Sequence, residues 1–227
     1  MSLFTATGEQ AKESANRKNV DLKTAYIRLK ENESVRVRVL GLTDYVEYMA
    51  HGDFNLGIYN QPCTKPLTGK EDPFCVAAGV EGFEKLKAKK RYIFALYDID
   101  KKTVRYWDAS KAQATKMIAD IEEYKEDINE VAFNFKRTGT KTDTVFSLNP
   151  ILRLDEAGKE GFAAGDEAVI ELADFESVLI PRTEEQQIAL LKQAGFPVHE
   201  FFTVSEAGSE SEAVDLSKGE ENPLDEM

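Results

Sequence analysis

The sequence predicts a mainly β fold with inserted helices (α+β): a small five-stranded, partly open barrel followed by a disordered acidic C-terminal tail. Three observations predict it. Short apolar runs, alternating or rich in aromatic residues, recur between polar turns. A three-four spaced apolar stripe sits among them. Charge is also split along the chain: residues 1–150 carry 24 basic and 22 acidic residues, whereas residues 151–227 carry 5 and 19.

In chain order, residues 1–20 have few large apolar side chains and read as an N-terminal arm. Residues 21–153 read as the barrel. Within it, Ser34 to Leu40 alternates, with Val35, Val37 and Val39 on one face and Arg36 and Arg38 on the other, so a half-buried strand with a cationic outer face is expected. Residues 44–62 suggest strand fragments with His51-Gly52 at a turn, and residues 63–75 a polar loop bounded by the two cysteines. A helix is expected from Phe74 to Lys90. Lys87, Lys89, Lys90 and Arg91 then run into the aromatic strand Tyr92–Tyr97, and Thr103–Trp107 returns to make a hairpin. Asp108 can cap the helix whose stripe is Ala114, Met117, Ile118, Ile121 and Tyr124. Val131 to Arg137 alternates again, and Thr144 to Leu148 pairs back after a glycine turn. This order of strands suits a barrel of the oligonucleotide-binding (OB) type. Residues 154–203 form an acidic accessory segment with a helix opened by the capping box Thr183–Gln186. Residues 204–227 are too acidic and too poor in apolar residues to offset the entropy of ordering.

Two cysteines in 227 residues argue against a disulfide scaffold and fit a reducing cytoplasm. No apolar run is long enough to span a bilayer, so no membrane partner is expected. An enzyme is not expected either: there is no Gly-rich phosphate loop and no nucleophile elbow, and the only histidines are His51 and His199. Cations beside aromatic strands suit a polymer that is anionic along its backbone and flat at its bases, that is, single-stranded nucleic acid. The candidates for phosphates are Arg36, Arg38, Lys87, Lys89, Lys90, Arg91, Arg105 and Arg137. For stacking on bases they are Tyr59, Tyr92, Tyr97, Trp107 and Phe135, with about half expected in the core. Trp107 leads, and Tyr106 replaces it if that strand face turns inward. The alternative is an acidic protein-binding adaptor or DNA mimic, which needs its excess acid on the folded body rather than after residue 150.

The Val-Arg-Val-Arg strand, the His51-Gly52 pair, Asp72-Pro73-Phe74-Cys75 heading a helix, and the basic run into Tyr92 occur in that order. In this the chain resembles the single-stranded-DNA-binding, helix-destabilising replication proteins of tailed bacteriophages, over roughly residues 34–150 plus the tail's composition. The resemblance implies an OB fold that coats exposed single-stranded DNA in replication, recombination and repair, in a host cell's cytoplasm. It also implies an acidic tail, here residues 205–227, that recruits replication and recombination proteins. Members can hold a structural zinc with one histidine and three cysteines. His51, Cys63 and Cys75 match three of those places, but Asp72 stands where the third cysteine would be. Structural zinc sites are built mostly from sulfur and nitrogen, so no metal is expected and the thiols read as small buried hydrophobes.

Overall fold

The computed structural model describes residues 20–203; the arm up to residue 19 and the acidic tail from residue 204 lie outside the described residues. Seven antiparallel strands form one sheet: β1 (Ser34–Arg38), β2 (Tyr45–Asp53), β3 (Ile58–Pro62), β4 (Lys89–Asp98), β5 (Thr103–Ser110), β6 (Phe133–Thr138) and β7 (Val145–Pro150). The five-strand expectation is two short, because residues 44–62 form a full hairpin. The mixed α+β character holds.

β4 organises the sheet. Arg91 to Asp98 pair along one edge with β5, while the other edge is shared between β2, on Lys89–Phe94, and β1, on Tyr97 and Asp98. One strand with three neighbours makes the sheet curl instead of lying flat. β1 continues to β6 and β6 to β7, so the spatial order is β3-β2-β4-β1-β6-β7 with β5 off that path.

The aromatic run of β4 is apolar on both faces because both faces are covered. Phe94 and Leu96 point with Trp107, Phe133 and Phe135 into the main core. That core is closed by helix α4 (Lys111–Glu123) through Ala114, Met117 and Ile121. Ile93, Ala95 and Tyr106 face the opposite way, into a second cluster completed by α1 (Leu22–Ala25) and α6 (Leu172–Val178). A strand buried on two sides reads as continuous rather than alternating.

Several local expectations are corrected. His51 and Gly52 lie within β2; the turn is Phe54–Gly57, where Gly57 takes φ +66°. The loop at 63–75 contains a short helix, α2 (Lys65–Thr68). The helix expected over 74–90 is only α3 (Pro73–Ala77); turns follow it, with Gly82 at φ +90°, before the turn Glu84–Leu86 leads into β4. Asp108 is not a helix cap: it sits in β5, and Ser110 caps α4 in a capping box with Gln113.

The accessory segment spreads over the sheet in three places. α5 (Glu156–Ala164) lies on the outer face of β1, α6 covers the back of β4 and β5, and α7 (Glu184–Gln193) with α8 (Val198–Phe201) packs on α3. α5 approaches closely, since a Cβ on Gly161 would stand 2.2 Å from the carbonyl oxygen of Ile99. The Thr183–Gln186 capping box is present as expected.

The buried charges of the β4–β5 hairpin are paired. Arg91 Nε donates to both carboxylate oxygens of Asp108 at 3.0 Å, and Arg105 Nη1 meets Asp98 Oδ2 at 2.9 Å. Removing one partner of such a pair leaves an uncompensated buried charge. Asp108→Ala should therefore lower unfolding free energy by about 3–5 kcal/mol in urea titrations. Glu47→Ala, which removes the partner of Lys90 at the surface, should leave the midpoint unmoved.

Candidate nucleic-acid cleft and metal centre

A cleft of about 680 Å³ opens between the β2–β3 hairpin, the start of β4 and the first turn of α4. Its floor and walls include Phe54, Tyr59, Lys89, Lys90, Arg91 and Lys111. Phe54 is 77% exposed, and its ring stands edge-on to Tyr59 with centroids 5.7 Å apart. The turn at Phe54–Gly57 presents this aromatic pair, while the antiparallel register between β2 and β4 brings Lys89 and Lys90 beside it. Lys111 comes from the helix that Ser110 caps.

The predicted phosphate contacts divide sharply. Lys87, Lys89 and Lys90 are exposed, and Lys89 and Lys90 line the cleft. Lys90 lies 2.9 Å from Glu47, an exposed pair that ionic strength weakens. Arg91 also lines the cleft, but its guanidinium is committed to Asp108. Arg105 is buried, donating to Asp98 and to the carbonyl oxygens of Thr24 and Tyr26. Arg137 donates to the Leu29 carbonyl at 2.7 Å. The cationic face of β1 is not open: Arg36 pairs with Asp100 and Asp155, and Arg38 pairs with Asp166 at 2.7 Å while lying 4.4 Å over the Phe162 ring. α5 supplies that cover, and acid in the accessory segment meets base on the strand.

The aromatic candidates divide in the same way. Tyr59 faces the cleft. Tyr92 is half-buried and its hydroxyl donates to Glu47 at 2.7 Å. Tyr97 is buried against Gly165. Trp107 is 1% exposed and Phe135 0%, with ring centroids 4.9 Å apart in the core, so neither offers a face to a base. Tyr106 does not replace Trp107, because the other face of β5 is covered by Phe175. The sequence reading missed Phe54 and Lys111. A phenylalanine followed by Asn-Leu-Gly was the available signal for an aromatic carried on a tight turn.

Behind the cleft, His51, Cys63, Asp72 and Cys75 bring one donor atom each within 4.8 Å of one another. His51 comes from β2, Cys63 follows β3, and Asp72 caps α3, on which Cys75 stands. His51 Nδ1 lies 2.6 Å from the Leu86 carbonyl, which can only accept, so Nδ1 carries a proton. That leaves Nε2 aimed at Asp72 Oδ1, 3.3 Å away, and Cys75 Sγ, 3.6 Å away. A bare ring nitrogen beside a carboxylate and a thiol is a position that suits a metal ion.

The distances favour a metal. A tetrahedral zinc with ordinary bond lengths sets sulfur–sulfur, nitrogen–sulfur and nitrogen–oxygen separations of about 3.8, 3.6 and 3.3 Å. The corresponding distances are 3.7 Å for Cys63–Cys75, 3.6 Å for Cys75–His51 and 3.3 Å for His51–Asp72. Asp72 is also fixed in place, its oxygens accepting from the backbone N–H of Cys75 and of Thr64 at 2.8 Å each. Burial and the Asp72 charge push the Cys75 thiol up to about 12 and raise Cys63, burial being the larger cause. Burial also opposes ionisation of Asp72, yet its bonds to His51 and these two amides hold its carboxyl well below the usual range. A divalent cation reverses the thiol shifts, because a coordinating thiol is deprotonated. The residues therefore fit zinc, with aspartate completing the set where a third sulfur was expected to be required. Bound there, zinc would supply structure rather than Lewis-acid chemistry, clipping the β2–β3 hairpin to α3.

No family model, no curated protein and no solved structure matches the chain. Among the described residues no helix is long and apolar enough to cross a membrane.

Zinc added to metal-free protein should bind one ion per chain and raise the unfolding free energy by about 2.7 kcal/mol at a hundredfold excess over Kd. Cys75→Ser should abolish that gain. Elemental analysis without zinc after such loading, or a chelator that leaves the melting curve unchanged, would contradict the assignment.

Proposed function

We propose that the protein binds single-stranded DNA without sequence preference, on an OB-type partly open barrel. The cleft beside Phe54 carries this reading. There the exposed Phe54 and the half-buried Tyr59 stand among Lys89, Lys90 and Lys111, the two kinds of contact that unpaired strands require. Cations track the backbone and release counterions, while ring faces take bases of any identity at about 1–3 kcal/mol each. The strand enters over Lys89 and Lys90, and Phe54 with Tyr59 stacks its bases. Trp107 and Phe135 support the site from the core.

The net charge of −12 does not oppose this, because the acid is concentrated after residue 150. Within the accessory segment part of that acid is spent internally: Asp155, Glu160 and Asp166 pair with Arg36, Lys102 and Arg38. On this reading residues 205–227, with eight acids and one lysine, compete with DNA for the cleft at low salt and recruit replication and recombination proteins when displaced.

The test is fluorescence anisotropy with labelled oligonucleotides, single- and double-stranded, across salt. Single strands should bind more tightly, with affinity falling steeply as salt rises. Phe54→Ala should cost about 1–3 kcal/mol in binding without altering the salt slope. Lys89→Ala should reduce that slope by about 0.7. Equal affinity for duplex, or binding indifferent to salt, would overturn the reading. Deleting residues 205–227 should tighten binding most at low salt; no change there would remove the tail as a competitor.

A further inference from the structure

We propose that Cys63 and Cys75 form a reversible redox site, closed into a disulfide by a small anionic disulfide reagent of the glutathione type. They are the only cysteines in the chain, and their sulfurs stand 3.7 Å apart. Both are half-buried rather than sealed in the core. They open onto a pocket of about 360 Å³ that Met49, Lys65 and Lys87 also line, distinct in its lining cations from the cleft beside Phe54. Lys65 and Lys87 stand exposed at the mouth, where Lys65 shares its charge with Glu71 at 3.2 Å, so Lys87 is the ammonium that meets an anionic reagent.

The pair needs little movement. A disulfide bond is about 2.05 Å long, so the sulfurs close by under about 2 Å. The connection between them runs over an exposed segment, residues 65–71, with Gly69 at φ +71°. That segment can absorb the shift without disturbing β3 or the buried Phe74.

The chemistry is thiol–disulfide exchange. One protein sulfur, as thiolate, attacks a sulfur of the reagent; the reagent's sulfur–sulfur bond breaks and one reagent thiolate leaves. The second protein sulfur then attacks the first, and the other reagent thiolate leaves. Two electrons pass from the cysteines to the reagent, and any protons on the cysteines go to the departing thiolates. Forming the bond withdraws two of the four donors from a cation held by His51, Cys63, Asp72 and Cys75. Oxidation and metal retention therefore exclude each other. A neighbouring thiol also resolves the first adduct before further oxidation, so the site returns to its starting state on reduction.

The test treats the full chain with oxidised glutathione, both zinc-loaded and chelator-treated, followed by peptide mapping without reductant. The expected product in both is one intramolecular Cys63–Cys75 link, reversed by dithiothreitol. The zinc-loaded sample should release one ion per link to a chromogenic chelator. Cys63→Ser should stop at a glutathione adduct on Cys75. Cystamine, a cationic disulfide, should react several-fold more slowly at low salt. A wild-type product that remains a single-cysteine adduct, links between chains, or unreacted thiols would each overturn the proposal. Equal rates for the two reagents would overturn the anionic class.

Discussion

A charge taken out of water must bring its partner with it, and much of this structure follows from that constraint. The middle of the β4–β5 hairpin is covered on both faces, so Asp98, Arg105 and Asp108 are buried, and Arg91 half-buried, along with their apolar neighbours. Arg91 meets Asp108 and Arg105 meets Asp98 across the same hairpin, each pair a diagonal offset by two residues from direct register. Such pairs add little net stability over an apolar replacement, yet breaking one is expensive, so they fix the register of the hairpin more than they strengthen it. The same rule extends outward. α5 brings Asp155 and Asp166 onto Arg36 and Arg38, and its glycine at 161 lets the helix come close enough for those pairs to form.

This explains which parts were legible in the sequence. The strands expected at 34–40, 92–97, 103–107, 131–137 and 144–148 fall on β1, β4, β5, β6 and β7, because alternation or aromatic density marks most of them whatever surrounds them. The capping box at Thr183 was readable because its hydrogen bonds are local. Strand cations were misjudged as solvent-facing because period alone cannot say whether a second layer covers a strand face. Arg36 and Arg38 alternate as a solvated face would, but α5 arrives from more than a hundred residues away. Trp107 failed as a stacking residue for the same reason. The exposed Phe54 is not legible, because residues 44–62 lack a steady period that would mark the two strands flanking its turn.

The cleft and the candidate metal site share one hairpin. His51 lies in β2 two residues before the turn that starts at Asp53, and it lines the cleft while aiming Nε2 at Asp72 and Cys75. Its ring packs 5.6 Å from Phe74, which belongs to a third apolar cluster with Leu191, Phe196 and Val198. The hairpin that carries Phe54 and Tyr59 is thus braced from behind by four converging donors and by the last helices of the described chain. A short hairpin at the edge of a sheet is only marginally held by its own hydrogen bonds, so this bracing is what can keep the aromatic pair in one place.

On the proposed function, single strands lie across Phe54 and Tyr59 rather than on any other face. Photocrosslinking with oligonucleotides carrying 5-iodo-deoxyuridine, followed by peptide mapping, tests it directly. The account predicts crosslinks at Phe54 or Tyr59. Crosslinks confined to peptides outside the cleft, such as those around α5 or β7, would contradict it.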